Sequence, residues 1–148
     1  MGVYIHGVGN IGVLVEVSAG TPEAAATDVV RGFAKDVAMQ VAAAAPISVR
    51  REEVAPDVIE HEMAIYKSQA AETGKPEPIQ QKIAEGRLEK FFKEFCLLEQ
   101  PFVKNPDITT KQHAEQTSKE AGALVSVVRF ERLVLGETNP EPKSSCGC

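Results

Sequence analysis

Two short runs of β-branched and aromatic residues at the start of the sequence predict the two strands of a β-hairpin. The first run is Val3-Tyr4-Ile5-His6 and the second is Val13-Leu14-Val15-Glu16-Val17. Such runs are typical of strands. Gly7, Gly9 and Gly12 lie between the two runs. Because glycine adopts positive φ angles at little cost, we expect these glycines in the hairpin loop.

A helix is predicted after the hairpin, starting at Thr21-Pro22-Glu23 and stopping before Pro46. The tripeptide combines an N-cap hydroxyl, a proline at the first helical position and an acid in the first turn. Apolar residues then recur at steps of three and four, which places them on one helix face. These residues are Val30, Phe33, Ala34, Val37, Ala38, Val41 and Ala42. We expect this face to cover one side of the sheet.

The middle of the chain predicts two helices with narrow apolar stripes. The first, from Pro56 to Glu72, carries Ile59, Met63, Tyr66 and Ala70. The second, after Pro76, carries Ile79, Ile83, Ala84, Leu88, Phe91, Phe95 and Leu98. A narrow stripe is typical of a coiled-coil seam, and Gly74 between the helices favours a turn. Residues 56–98 therefore predict an antiparallel coiled-coil hairpin, whose polar tip is either a solvated surface or a partner contact.

The region after this hairpin predicts a connector and a short helix. Residues 100–106 are bounded by prolines, which favours an extended, irregular segment. Thr109 or Thr110 is predicted to cap a helix that runs to Ala121 and ends at Gly122.

Residues 123–135 alternate well enough to predict a third strand. One face would carry Val125, Val127, Arg129, Glu131 and Leu133, and the other Leu124, Ser126, Val128, Phe130, Arg132 and Val134. Residues 138–148 have too few apolar side chains to pack, which predicts a flexible tail.

The predicted fold class is α+β, with a small three-stranded antiparallel sheet covered by helices. The core consists of residues 1–55 and 99–137, and the coiled-coil hairpin of residues 56–98 is inserted between the second and last strands.

Charge and composition exclude several classes of partner. The chain has 148 residues and a formal net charge of -5, without the clustered basic residues that nucleic-acid backbones require. No apolar stretch approaches the roughly 20 residues that span a bilayer, and no export signal is recognisable. Cys96 falls in an apolar helical pattern, and Cys146 and Cys148 form no spaced disulfide framework. We therefore expect a reducing compartment and no direct contact with nucleic acid or membrane.

The glycines from Gly7 to Gly12 match the dinucleotide fingerprint G-x-G-x-x-G, but a strand follows them where the fingerprint requires a helix. The three histidines, His6, His61 and His113, fall on three different elements and show no metal-ligand or nucleophile-base spacing. The residues therefore predict no catalytic site, no metal and no cofactor. An enzyme that uses the glycine loop is the alternative, and dinucleotide binding would reveal it.

Four sequence blocks in fixed order resemble bacterial and organellar translation elongation factor Ts. They are "YIHGVGNIGVLVEV", "FAKDVAMQVAA", "GKPEPIQQKIAEGRLEKFFKEFCLLEQPFVKN" and "VRFERLVLGE". The resemblance runs from Tyr4 to about Glu137. It implies a non-catalytic guanine nucleotide exchange factor that binds elongation factor Tu and promotes GDP release. It also implies a cytoplasmic protein or, alternatively, one of the chloroplast or mitochondrial matrix.

The resemblance assigns candidate partner-binding residues to two places. His6, with Gly7 beside it, corresponds to the family's hairpin histidine that contacts the GTPase domain of the partner. Val103 and Lys104 correspond to a segment that touches the partner's third domain, and Phe102 is expected to support them. The coiled-coil hairpin is expected to reach the GTPase domain as well. From the residues alone, the alternative interpretation is that His6 only caps the hairpin and that the segment around Val103 only connects two elements.

The sequence departs from the family at three places. The family's exchange element, Thr-Asp-Phe-Val, is replaced by residues 21–24, Thr-Pro-Glu-Ala. Its Ile-Gly-Glu-Asn-Ile is replaced by residues 120–124. Because the sequence starts at the predicted first strand, the family's N-terminal three-helix module is expected to be absent. Two interpretations remain open: a C-terminal core half of a longer exchange factor, or a divergent paralogue that binds Tu without exchange. A single core of this kind is also expected to form a homodimer if it presents two halves to its partner.

Overall fold

Strands and helices are mixed along the computed structural model, which describes residues 1–137. The elements are β1 (Gly2–His6), β2 (Ile11–Ser18), α1 (Pro22–Ala25), α2 (Asp28–Ala44), α3 (Pro56–Ala71), α4 (Glu77–Phe95), β3 (Pro101–Phe102), β4 (Asn105–Thr109), α5 (Thr110–Ala121) and β5 (Ser126–Val134). This mixture confirms the α+β class. The predicted tail, residues 138–148, lies outside the described residues.

The sheet that positions the site has three antiparallel strands in the order β1-β2-β5. The β1–β2 loop contains Gly7 at φ +63° and Gly9 at φ +95°, as the predicted hairpin requires. Tyr4 pairs with Val13, and Val13 pairs with Arg132 on the other side. The small antiparallel sheet is therefore confirmed, with β2 in the centre and β1 and β5 at the edges.

Strand β5 contains a bulge at Val128, where its register against β2 shifts by one residue. Val127 is buried before the bulge, and Phe130 and Arg132 are half-buried after it. The sequence predicts Phe130 and Arg132 on the face opposite Val127. That prediction is wrong beyond Val128, because one extra residue reverses the two-residue period of a strand.

The helix predicted from Thr21 is divided into α1 and α2. The Thr27 hydroxyl donates to Ala24 O (2.7 Å) and accepts from Val30 N (3.4 Å), so it ends one helix and caps the next. The apolar face of α2 is buried as predicted and covers the sheet. Its buried members are Val30, Phe33, Ala34, Val37, Ala38, Gln40, Val41 and Ala42.

Helices α3 and α4 contact each other and are joined by a turn in which Gly74 has φ +67°. Ala70 and Ala84 are fully buried where the helices meet. Phe91 and Phe92 lie in a second apolar cluster with Val54 and Cys96, near the junction of α4 with the sheet domain. None of the described helices has both the length and the apolar composition that a membrane span needs.

Residues 100–106, predicted to be irregular, instead contribute to a second sheet, in which β3 pairs with β4. Pro101 lies opposite Thr109, and no local sequence pattern predicts this pairing. Helix α5 begins after Thr109, whose side chain caps it, and ends at Gly122 with φ +65°. The predicted helix is therefore confirmed at both ends.

Candidate functional site

A surface groove of about 400 Å³ brings together residues from three separate parts of the chain. Strands β1 and β2 form one wall, the last turns of α2 form the floor, and the β3–β4 loop closes the end. The lining residues are Tyr4, His6, Ile11, Met39, Ala42, Ala43 and Val103. The groove thus joins His6 and Val103, which lie far apart in the sequence. We call it the His6–Val103 groove.

His6 occupies the last position of β1 and is exposed. Its Nδ1 lies 3.1 Å from the hydroxyl of Tyr4, within hydrogen-bond distance. A Cβ atom at the adjacent Gly7 would meet no other atom, so crowding does not require glycine there. The positive φ of this residue is the reason that glycine is favoured. The turn therefore leaves His6 accessible, and Tyr4 holds the imidazole in one orientation.

The β3–β4 loop presents Val103 above a buried aromatic stack. Phe102 is 5% exposed, and its ring stacks on His113 at 4.3 Å between centroids. The other neighbour of the imidazole is Phe33, at 5.3 Å. Val103, by contrast, is 49% exposed. Phe102 therefore anchors the loop, and Val103 offers an apolar surface to solvent.

A buried amide holds this loop against α2. Gln40 is 1% exposed, and its Nε2 donates to Gln100 Oε1 (3.2 Å) and to Pro101 O (3.1 Å). Its Oε1 accepts from the Val103 N–H at 2.7 Å. Three hydrogen bonds made by one side chain, two of them to the backbone, thus hold the loop that carries Val103 against α2.

Lys104 extends along α2, where its ammonium pairs with Asp36. The same carboxylate lies 3.3 Å from His113 Nε2, so Asp36 joins the loop to α5. The charge of Lys104 is therefore partly neutralised at the flank of the groove.

The structure places His6, Gly7, Val103 and Lys104 at the surface and buries Phe102. Their role in binding stays a prediction. Sequence reasoning missed Gln40 and His113. The signal for Gln40 was present, because a polar residue on the buried face of an amphipathic helix requires a partner.

Arg51 connects α4 to the sheet domain at a distance from the groove. Its guanidinium binds Glu99 (2.7 and 2.8 Å) and Glu89 (3.0 and 3.2 Å), and lies 4.7 Å from the centre of the Phe92 ring. The hydrogen bonds that Arg51 donates to Glu99 and then to Glu89 raise its pKa above the ordinary value. This cluster favours one orientation of α4 relative to the domain.

The described residues contain no group of histidine, cysteine and acidic side chains arranged to hold a metal ion. Cys96 is fully buried, and burial raises the pKa of its thiol, which disfavours the reactive thiolate. His6, His61 and His113 lie on β1, α3 and α5. The His6–Val103 groove is lined by apolar side chains, the phenol of Tyr4 and the imidazole of His6.

Comparison with known proteins identifies the class to which this α+β chain belongs. The family model described as "Elongation factor TS" matches residues 1–137. The chain is 54% identical over 134 residues to elongation factor Ts of Carboxydothermus hydrogenoformans, and 54% identical over 134 residues to that of Heliobacterium modesticaldum. It is 52% identical over 137 residues to elongation factor Ts of Geobacter sulfurreducens.

These alignments cover 90%, 90% and 93% of the chain but only 62%, 62% and 63% of the relatives. The chain is therefore related to translation elongation factors. It belongs to the elongation factor Ts family, which confirms the resemblance seen in the sequence.

Proposed function

We propose that this chain binds elongation factor Tu and promotes GDP release from it, as an exchange factor or as the C-terminal core half of one. The observation that carries the proposal is the His6–Val103 groove. The resemblance assigns His6 and Val103 to different domains of the partner, and the fold brings them to one surface. One face of the chain can therefore contact two domains of the GTPase at once.

The proposed activity needs no acid, base or metal from this chain. A partner that binds the nucleotide-free GTPase more tightly than the GDP-bound form weakens GDP binding by the same factor. The chain therefore acts through differential binding, and its residues serve as contacts.

The paired helices α3 and α4 form the second proposed contact. We assign them to an inserted antiparallel coiled-coil hairpin that reaches the GTPase domain. Ile79 near the tip is 44% exposed, and the Arg51 cluster at the base restricts the direction of the hairpin.

The alternative function is Tu binding without exchange. It is favoured by residues 21–24, where α1 places Pro22 and Glu23 in place of the Asp and Phe of the family's exchange element. Thr21 caps this short helix through the Ala24 N–H. An aromatic wedge is therefore missing from this position.

We expect His6→Ala and Val103→Ala each to weaken the complex with Tu about tenfold, because each removes a central contact of the groove. Val128→Ala is the matched control for Val103→Ala, since Val128 is 42% exposed at the other edge of the sheet. Affinity is measured by calorimetry on the full chain. GDP release is followed with Tu loaded with a fluorescent GDP analogue.

Accelerated release together with binding supports the exchange factor, and binding without acceleration supports the alternative. Absence of binding contradicts both. If both groove variants bind Tu with unchanged affinity, the His6–Val103 groove is not part of the interface.

The bacterial relatives favour the bacterial cytoplasm as the site of action over an organelle.

We also propose a homodimer, carried by apolar residues on the outer sheet face. Val3, Ile5, Leu14 and Leu133 are 57%, 67%, 45% and 56% exposed. They are adjacent because Val3 pairs with Leu14, and Ile5 and Leu133 flank Gly12. A contiguous apolar face of this kind marks an association surface.

The dimer is tested by sedimentation of the wild type and of Leu14→Glu. The substitution is expected to shift the chain to monomer, because it places a charge in the apolar face. Ile47→Glu, at a residue that is 52% exposed elsewhere, should leave the mass unchanged. A wild-type chain that sediments as a monomer at all concentrations contradicts the proposal.

A further inference from the structure

The free edge of β5 faces a second groove, of about 640 Å³. One wall consists of residues 128–132 of β5, and the other of residues 45–49, which follow α2. This groove lies at the opposite edge of the sheet from β1 and the His6–Val103 groove. Nothing in the proposed function uses it.

The register of the sheet shows which backbone groups of β5 point into this groove. The Leu135 N–H donates to Asn10 O (2.8 Å), which makes Ile11 and Val134 a non-hydrogen-bonded pair. Because such pairs alternate along antiparallel strands, Phe130 and Arg132 are also in non-hydrogen-bonded positions against β2. Their N–H and C=O groups therefore point away from β2, toward the open edge.

Within residues 1–137, these outward groups of Phe130 and Arg132 have no hydrogen-bond partner. At one end of this stretch, Val127 O accepts from Arg50 Nη2 (3.4 Å). At the other end, Val134 O accepts from the Glu137 N–H (3.1 Å). The open edge is thus a short stretch bounded on both sides, and only an extended backbone matches its spacing.

The opposite wall is held in place by backbone hydrogen bonds to residues 95–97. The Ile47 N–H donates to Phe95 O, and Ser48 O accepts from the Leu97 N–H, both at 2.9 Å. An extended segment about 13 Å long, with spacings of about 4.8 Å to its neighbour and about 10 Å across a layer, occupies on the order of 600 Å³. A groove of about 640 Å³ is therefore large enough for one added strand.

The side chains that line the groove define the chemistry of that strand. Ile47 and Val128 are 52% and 42% exposed and offer apolar contacts. Arg132 Nε is buried and has no hydrogen-bond partner among the described residues. The carboxylate of Glu53 already accepts from the Val49 N–H (3.1 Å) and from Arg50. The half-buried guanidinium of Arg132 forms no ion pair within residues 1–137 and lines the groove, so it offers a cationic donor there, which a carboxylate matches best.

We infer that the edge of β5 binds an extended peptide segment of a partner protein by strand addition, with an Asp or Glu side chain of that segment accepting from Arg132. Main-chain hydrogen bonds to Phe130 and Arg132 provide the affinity, and the Arg132 contact provides the selectivity. The inference does not depend on Tu binding.

The test uses the full chain, labelled with ¹⁵N, and synthetic peptides that alternate Thr and Val and carry one Glu at a different position in each. At least one peptide is expected to shift the amide resonances of Phe130 and Arg132 and to protect them from exchange. N-methylation of the peptide at alternate amides is expected to abolish these effects. Arg132→Gln should weaken binding about tenfold. The control Arg31→Gln, at an exposed residue of α2 that does not line this groove, should change it less than twofold.

Three outcomes overturn the inference. One is a set of peptides that leaves both amides unshifted up to millimolar concentration. Another is equal binding of the N-methylated peptide. The third is protection of both amides without peptide that grows with protein concentration, which assigns the edge to a second copy. Because no readout involves Tu, failure here leaves the proposed exchange function untouched, and failure of Tu binding leaves this result untouched.

Discussion

Phe33→Ala is expected to lower the free energy of unfolding by about 3 to 5 kcal/mol, the range for a buried phenylalanine reduced to alanine. Phe33 is 2% exposed in the main core cluster, on the face of α2 that covers the sheet. Its removal forfeits the apolar burial and leaves a cavity, because α2 and the sheet cannot close over the gap. Chemical denaturation followed by circular dichroism measures the loss.

The control for this variant is Val29→Ala, on the same helix. Val29 is 39% exposed, so its truncation should cost less than about 0.5 kcal/mol. Similar losses for both variants would contradict the position of α2 on the sheet. The imidazole of His113 lies against Phe33 as well as Phe102. We therefore expect Phe33→Ala to weaken Tu binding too, at temperatures where the variant is still folded.

Sequence patterns correctly predicted those elements that are determined by residues close together in the chain. The buried face of α2 follows from the spacing of its apolar residues. The start of α5 follows from the Thr109 hydroxyl, and its end from Gly122. The β1–β2 loop follows from Gly7 and Gly9, whose positive φ angles exclude most other residues. In each case the residues that decide the structure lie within a few positions of one another.

The features that the sequence did not predict depend on a choice between equivalent local signals or on residues that are distant in the sequence. Thr27 has the same capping capacity as Thr21, and only the tertiary arrangement decides that both are used. The bulge at Val128 arises from the fit of β5 to β2, which alternation alone cannot show. Likewise, β3 and β4 pair with each other although prolines flank the segment, because each strand has a free edge that tolerates proline.

The candidate site was predicted in parts. Similarity to the family pointed to His6 and Val103, and chemistry alone gave no reason to join them. The groove exists because α2 carries the β1–β2 hairpin on one side and the β3–β4 loop on the other. Those contacts link residues that are far apart in the chain, and periodicity contains no information about them. The polar residue inside the helix face, Gln40, was the visible sign of such a contact.

Gln40 makes the connection between fold and site testable. Gln40→Ala is expected to lower the free energy of unfolding by about 2 to 4 kcal/mol. The reason is that it leaves the Gln100 side-chain oxygen unpaired in a buried environment and the Pro101 carbonyl and Val103 N–H unpaired in a partly buried one. Gln40→Met restores most of the volume and none of these hydrogen bonds. Gln116→Ala is the control, because it removes a glutamine side chain that is exposed on α5.

If hydrogen bonding rather than packing fixes the β3–β4 loop, Gln40→Met should retain most of the destabilisation of Gln40→Ala. It should also weaken Tu binding, although Gln40 does not line the groove. The loop amide of Val103 provides a direct readout, because its hydrogen exchange should accelerate in both variants and stay slow in Gln116→Ala. A methionine variant with wild-type stability and a protected Val103 amide would show that packing alone holds the loop. Val103 would then be positioned by Phe102 and its stack on His113, and Gln40 would have no part in the site.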